Sequence, residues 1–234
     1  MKYKIIALSA LFLLFSCNEL QQVVNQLPQS GTIGNDQIAS GLRQALDFGI
    51  DKQVQKLTQE DGFFRNELVK IALPEELQKV DNTLRKMGLS NLADEGLKVL
   101  NRAAEDAVKE ATPIFVDAVK GITFSDAKQI LLGTDDAATN YLKSTTETKL
   151  YASFSPVIKN SFSKVGADQV WSNLITKYNN IPFVTQVNPD LTDYVTGEAL
   201  KGVYTMIAVE EQEIRTKSAS RTTALLQKVF ALQD

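Results

Sequence analysis

Histidine is absent from all 234 residues. That one absence removes Ser-His-Asp triads, Cys-His dyads, imidazole-ligated zinc and the commonest general base. Cysteine occurs once, at Cys17, so no disulfide can form within the chain and packing alone must hold it together. Runs of basic residues are missing as well: 25 Lys and Arg stand against 28 Asp and Glu, a formal charge of −3. Phosphate backbones are bound by clustered Lys and Arg, so a nucleic-acid partner is excluded. No apolar run reaches the roughly 20 residues that carry a helix across a bilayer. The chemistry left open is that of Ser/Lys, Tyr or carboxylate groups, or of oxygen-ligated Ca²⁺ or Mg²⁺. No metal, cofactor or catalytic residue is assigned on this basis.

What is there begins with an address. Lys2 and Lys4 precede an apolar stretch from Ile5 to Phe15, the layout of a secretory signal. Leu14-Phe15-Ser16-Cys17 resembles a bacterial lipobox, in which a small residue precedes a cysteine that is acylated and becomes the mature amino terminus. The expectation is a signal peptide over 1–16, with Cys17 as a lipid anchor rather than a nucleophile. Two or three acyl chains, at about 0.8 kcal/mol per buried methylene, make such an anchor stable. Residues 18–35, NELQQVVNQLPQSGTIGN, are rich in Gln, Asn, Gly and Ser. They read as a flexible tether, with a typical span of roughly 20–25 Å. The expected location is the cell envelope, anchored to the outer membrane and facing the periplasm.

From Asp36 onward the apolar period is helical. Ile38, Leu42, Ala45, Leu46, Gly49, Val54 and Leu57 fall on one face, and Asp61-Gly62 ends that segment. A short helix from Phe63 to Ile71 is expected next, then one opened by Pro74-Glu75-Glu76 and closed by Gly88. The longest stripe runs from Leu92 to Ala118 with Pro113 inside it, which predicts a kinked or restacked central helix. Its alanines predict close helix approach. Thr123-Phe124-Ser125-Asp126 has the form of a capping box, with Gly133 as the stop. A segment from Thr134 is expected to restart at Ser155-Pro156 and close at Gly166. A helix carrying Val170, Trp171, Leu174, Ile175 and Tyr178, a loop over 179–191, and helices over about 192–215 and 218–232 complete the reading. Strict alternation is lacking, so no substantial sheet is expected. At 44% hydrophobic, residues 36–234 can form a single all-α domain, an irregular multi-helix globule.

Five residues are singled out as functional candidates: Asp135, Asp136, Arg102, Glu105 and Asp106. The Asp135-Asp136 pair could take Ca²⁺ or act in hydrolysis, but lacks the alternating acids of a calcium loop and is expected to cap a helix. Arg102, Glu105 and Asp106, with Lys109, are spaced for i, i+4 pairs. They make either a solvated face or a polar floor under a pocket. Glu210, Glu211 and Glu213 followed by Arg215, Lys217 and Arg221 read as a solvated helix end or a docking surface. Ser125 and Lys128 spell S-x-x-K without its companion motifs. Phe115, Phe124, Tyr141, Trp171 and Tyr204 are expected in the core, with a lipid-sized cavity as the other reading.

The segments LNRAAEDAVKEATPIFVDAV, ITFSDAKQILLGTDDAATNYL, DYVTGEALKGVYTMIAVEEQEIR and SRTTALLQKVF, in that order, resemble the bacterial domain of unknown function 4197 family over about residues 33–231. The resemblance implies an all-helical envelope domain and transfers no reaction. The leading expectation is a non-enzymatic protein that binds an envelope partner or serves as an accessory component. A carrier of lipid or another apolar ligand is the second reading, and an unusual carboxylate or Ser/Lys hydrolase the third.

Overall fold

The computed structural model describes residues 34–233, apart from positions 87, 89, 167–171, 173–175, 177–178, 181, 184–185, 187 and 189. The expected signal, Cys17 and nearly all of the expected tether therefore lie outside the described residues, as do Trp171 and most of the expected helix around it. Contacts divide the chain into residues 1–34 and 35–234. The elements delimited among the described residues of the second unit are eight α-helices and a short 3₁₀ turn, with no strand.

Helix α1, Asn35–Leu57, has Asp36 in its first turn and Lys56 in its last, the charge order that suits the helix dipole. Its inner face buries Leu42, Ala45, Leu46, Ile50, Val54 and Leu57. Asp61 then takes a left-handed backbone, φ 64°. At Gly62 a Cβ would stand 2.5 Å from the Leu57 carbonyl oxygen, a clash only glycine avoids. The helix expected over Phe63–Ile71 does not form. This stretch is a series of turns because side chains of a later helix take its backbone groups, as described below.

Helix α2, Glu75–Lys86, follows Pro74 and is succeeded by Gly88 at φ 78°, as its punctuation predicts. The long apolar stripe becomes two helices, α3 (Ser90–Val108) and α4 (Ala111–Lys120). The break falls at Lys109-Glu110, not at Thr112-Pro113. Pro113 has no N–H for the Lys109 carbonyl four residues back, and its ring crowds that oxygen. It is accommodated in the first turn of α4, where a missing donor costs nothing. Glu110, rather than Thr112, occupies the cap position, without a side-chain bond. Ala103, Ala104, Ala107 and Ala111 are all buried, the close approach their size predicts.

Helix α5, Phe124–Leu131, begins with a complete capping box: Thr123 Oγ1 accepts from the Asp126 amide while the Asp126 carboxylate accepts from the Thr123 amide. Helix α6, Ala137–Lys164, runs unbroken through Pro156, where a restart was expected. Pro156 and Ala152, whose carbonyl the proline leaves without its helical donor, are both exposed. Water can serve that oxygen. Helix α7, Thr192–Thr216, is the hub, packing on α6, α1 and α3. A 3₁₀ turn at Ser218–Ser220 leads to α8, Ala224–Phe230. This last helix starts later than expected because Arg221 turns inward to the end of α7: its Nε donates to Ile214 O and its Nη2 to Arg215 O.

Phe63, Phe115 and Phe154 are wholly buried. Phe115 meets Tyr204 edge to face at 6.0 Å, a favourable aromatic geometry. None of the described helices is long and apolar enough to cross a membrane.

Candidate functional site

The α3 candidates do not share one face. Glu105 is 3% exposed, its carboxylate receiving the Phe63 amide at 3.1 Å and Arg102 Nη1 at 2.9 Å. Arg102 also reaches Glu60 at 2.7 Å and Asp61 at 3.0 Å. Asp106 pairs with Lys109 at 2.7 Å. The expected i, i+4 pairs are replaced by i, i+3 pairs because Glu105 turns inward to serve the 58–74 segment. Four residues earlier, Asn101 does the same: Oδ1 accepts from the Ile71 amide at 2.8 Å and Nδ2 donates to the Ile71 carbonyl at 2.9 Å. Thus α3 grips an irregular strap by its peptide groups, which is what lets that strap be buried. Arg102 and Asp106, without Glu105, line an open groove of about 320 Å³ between α3 and α6.

Asp135 and Asp136 are both exposed. Asp136 holds the cap position of α6 but makes no side-chain cap bond. Its carboxylate instead accepts from Thr134 Oγ1 at 2.7 Å, and that hydroxyl, with the Asn140 side chain, holds it below the usual carboxylate range. The first amides of α6 are satisfied from another helix. Glu211 on α7 accepts from the amide of Ala138 at 2.9 Å and from the amide and hydroxyl of Thr139 at 2.8 Å each. Arg215, one turn on, closes the pair at 2.7 Å and donates to the Ile130 and Leu131 carbonyls at 2.8 and 3.2 Å. Both readings of this charge run are therefore corrected for Glu210, Glu211, Arg215 and Arg221, which are buried. Glu210 is held by Lys52 at 2.8 Å and Gln53 at 2.6 Å. Only Glu213 and Lys217 form an outer pair, at 3.0 Å.

Among the described residues no cluster of three or more acids or cysteines could hold a metal ion. Ser125 and Lys128 are exposed on α5. Phe115 and Tyr204 are buried, while Phe124 and Tyr141 are half-buried. Burial pushes the Tyr204 phenol up to about 12, opposed by its hydrogen bond with Thr146.

Two further spaces are lined by described residues. Beneath α1, α7 and α8 an apolar void bordered by Leu46, Ile50, Ile207 and Phe230 has about 20 Å³, room for a single water. Between α6 and α7 an open groove of about 770 Å³ runs along the surface. The two helices are antiparallel there, fixed by Thr139 on Glu211, Thr146 on Tyr204 at 2.8 Å, and Tyr151 on Asp193. Leu200 and Tyr204, both buried, form its floor, with Gly197 and Ala208 along one side.

Sequence reasoning missed Asn101 and this groove, and placed Glu211 on a solvated or docking helix end rather than in the core. A signal existed for Glu211: it continues the apolar stripe Leu200, Tyr204, Ile207 and is followed by Arg215 at i+4, the mark of a charge paired inside a core.

A family model described as Protein of unknown function (DUF4197) matches residues 32–231, and the chain belongs to that family. No curated protein and no solved structure matches it.

Proposed function

We propose that this chain is a lipid-anchored, periplasm-facing envelope protein whose helical domain binds a protein partner and catalyses no reaction. The anchor rests on the signal layout ending in Ser16-Cys17. The observation that carries the binding role is the open surface groove of about 770 Å³ between α6 and α7. Ligand carriers enclose most of their ligand in a concave, mainly apolar cavity. Here Phe115 and Tyr204, two of the aromatics that could line such a cavity, are packed against each other in the core. An exposed, elongated groove suits a macromolecular surface better than an enclosed small molecule.

The experiment is isolation of the intact, acylated chain from the detergent-solubilised envelope, followed by native mass spectrometry. The expected mass is that of the chain, its acyl groups and one further protein subunit. A chain that retains only a non-covalent lipid or metabolite reverses the order of the two readings. Robust hydrolytic turnover by the purified protein sinks both.

A further inference from the structure

We infer that the groove between α6 and α7 receives an amphipathic helix of the partner, apolar along one stripe and acidic beside it. This deepens the partner-binding reading and rests on it.

The shape argues for a helix. From Thr139 to Tyr151 the α6 wall spans about 18 Å at ~1.5 Å per residue, some three turns. Thr139, Lys143, Glu147 and Tyr151 recur at every fourth position, and Gly197, Lys201, Thr205 and Ala208 answer them on α7. Helix faces repeat at that interval, so both walls present the ridge spacing that a third helix packs into. A Cβ placed on Gly197 would have nothing within 4 Å. Among the described residues, none fills that space on the outer face of the packed helix. Its floor is apolar, Leu200 and the Tyr204 ring, and the Tyr151 hydroxyl is already engaged by Asp193.

The backbone argues against an extended peptide. Both walls are helical, so their amides and carbonyls are engaged along α6 and α7 and offer no edge for strand addition. An extended occupant would bury its own peptide groups against walls without partners. A helix arrives with those bonds made.

Charge sets the flanks. Lys143 and Lys201 rise on opposite sides, with side chains 53% and 72% exposed. Their nearest carboxylates, Glu147 at 3.9 Å and Glu198 at 3.6 Å, lie beyond hydrogen-bond length. Each ammonium keeps donors for an incoming acid. In a chain whose overall charge is negative, two lysines facing across one groove favour acidic flanks and steer their approach.

The test places the photo-cross-linking residue p-benzoylphenylalanine at Thr148 or Thr205, which line the groove from α6 and α7, or, on a different helix, at Lys128, in the full chain within the cells that make it. The expected result is one protein adduct shared by the Thr148 and Thr205 sites and absent from Lys128. Mass spectrometry of the cross-linked peptide should show apolar residues three and four apart with Asp or Glu beside them. The pair K143E/K201E should cut the adduct at least tenfold with circular dichroism and melting unchanged. A partner seen by native mass spectrometry that cross-links only from Lys128 overturns the groove while leaving the partner reading intact. Adducts to lipid, to a second copy, to the chain's own segment 167–189 or to a basic peptide overturn the inference, and so does no adduct at any site.

Discussion

Glu211 and Arg215 hold each other at 2.7 Å across one turn of α7, yet each is aimed at the end of a different helix. The carboxylate meets the positive end of α6 and the guanidinium meets the negative end of α5. One ion pair thus satisfies the end groups that helices leave unpaired and opposes both dipoles. It does so at 7% and 9% exposure, where a lone charge is costly to keep.

Glu211→Ala should therefore destabilise the domain by about 3–5 kcal/mol, because it strands Arg215 and uncaps α6 together. Arg215→Ala added to it should cost much less than it does alone, since the stranded charge is gone. Urea denaturation of the two single variants and the double variant gives the coupling. Additive losses would mean that the two residues act separately.

Asn101→Ala should leave both the Ile71 amide and its carbonyl without partners, at about 1–3 kcal/mol for each buried group. The loss ought to be local as well as global. Amide exchange at Ile71 and proteolysis within 58–74 should accelerate more than exchange in α6. Uniform acceleration would show that α3 does not hold the strap independently.

Two glycines of α7 should respond in opposite directions to alanine. At Gly202 a Cβ would stand 2.6 Å from Phe63 Cε1 and 3.3 Å from Val69 Cβ. Gly202→Ala should therefore lose about 1–3 kcal/mol through overpacking. At Gly197 the space is open, and alanine gains up to about 1 kcal/mol of helix propensity. Thermal melts decide the signs. If Gly197→Ala also weakens the Thr205 adduct, the glycine keeps the groove open at the expense of stability.

Tyr204 gives an alkaline signature. Its phenol is raised from 10 to about 12 in the folded chain, so between those values the folded state holds a proton that the unfolded state has released. Stability then falls as pH rises through that window, by roughly 2–3 kcal/mol, since each pH unit between the two values is worth about 1.4 kcal/mol. Tyr204→Phe should flatten that part of the pH profile and leave the acid side unchanged. An identical slope in both proteins would assign the loss to other groups.

Cys17 is tested by feeding cells an alkyne fatty acid. The full chain should take the label and move with membranes, while Cys17→Ala should be unlabelled and leave them. Equal labelling of both chains would remove the anchor from the proposal.

Much of the fold was legible because it follows from local rules. The Thr123/Asp126 box, the stops at Gly88 and Gly166 and the buried alanines of α3 each depend on residues within a few positions. The misreadings share a cause, which is that the deciding partner is distant in sequence. Phe63–Ile71 has helical spacing, but Asn101 and Glu105, 30 and 42 residues away, take its peptide groups. Asp136 stands where a cap is expected, yet Glu211, 72 residues later, caps Thr139. Pro156 reads as a restart, and the solvent beside it makes unbroken continuation tolerable. The groove was illegible for a related reason. It is defined by what α7 lacks at Gly197 once α6 lies beside it, and helical periodicity in either segment alone reads only as amphipathicity.

The link from Lys52 and Gln53 to Glu210 spans 158 and 157 positions, and this sets an order of assembly. Helix α1 leads the domain in synthesis, yet its buried face is completed by α7, near the end. Its early turns can form, but the nucleus that encloses Leu46 and Ile50 waits for nearly the whole chain. Closing so long a loop before its contacts repay the entropy slows folding. During that interval the apolar side of α1 is uncovered, the exposure that chaperones shield in growing chains. Swapping α1 to the carboxyl end by circular permutation would bring those partners close in sequence and should speed refolding.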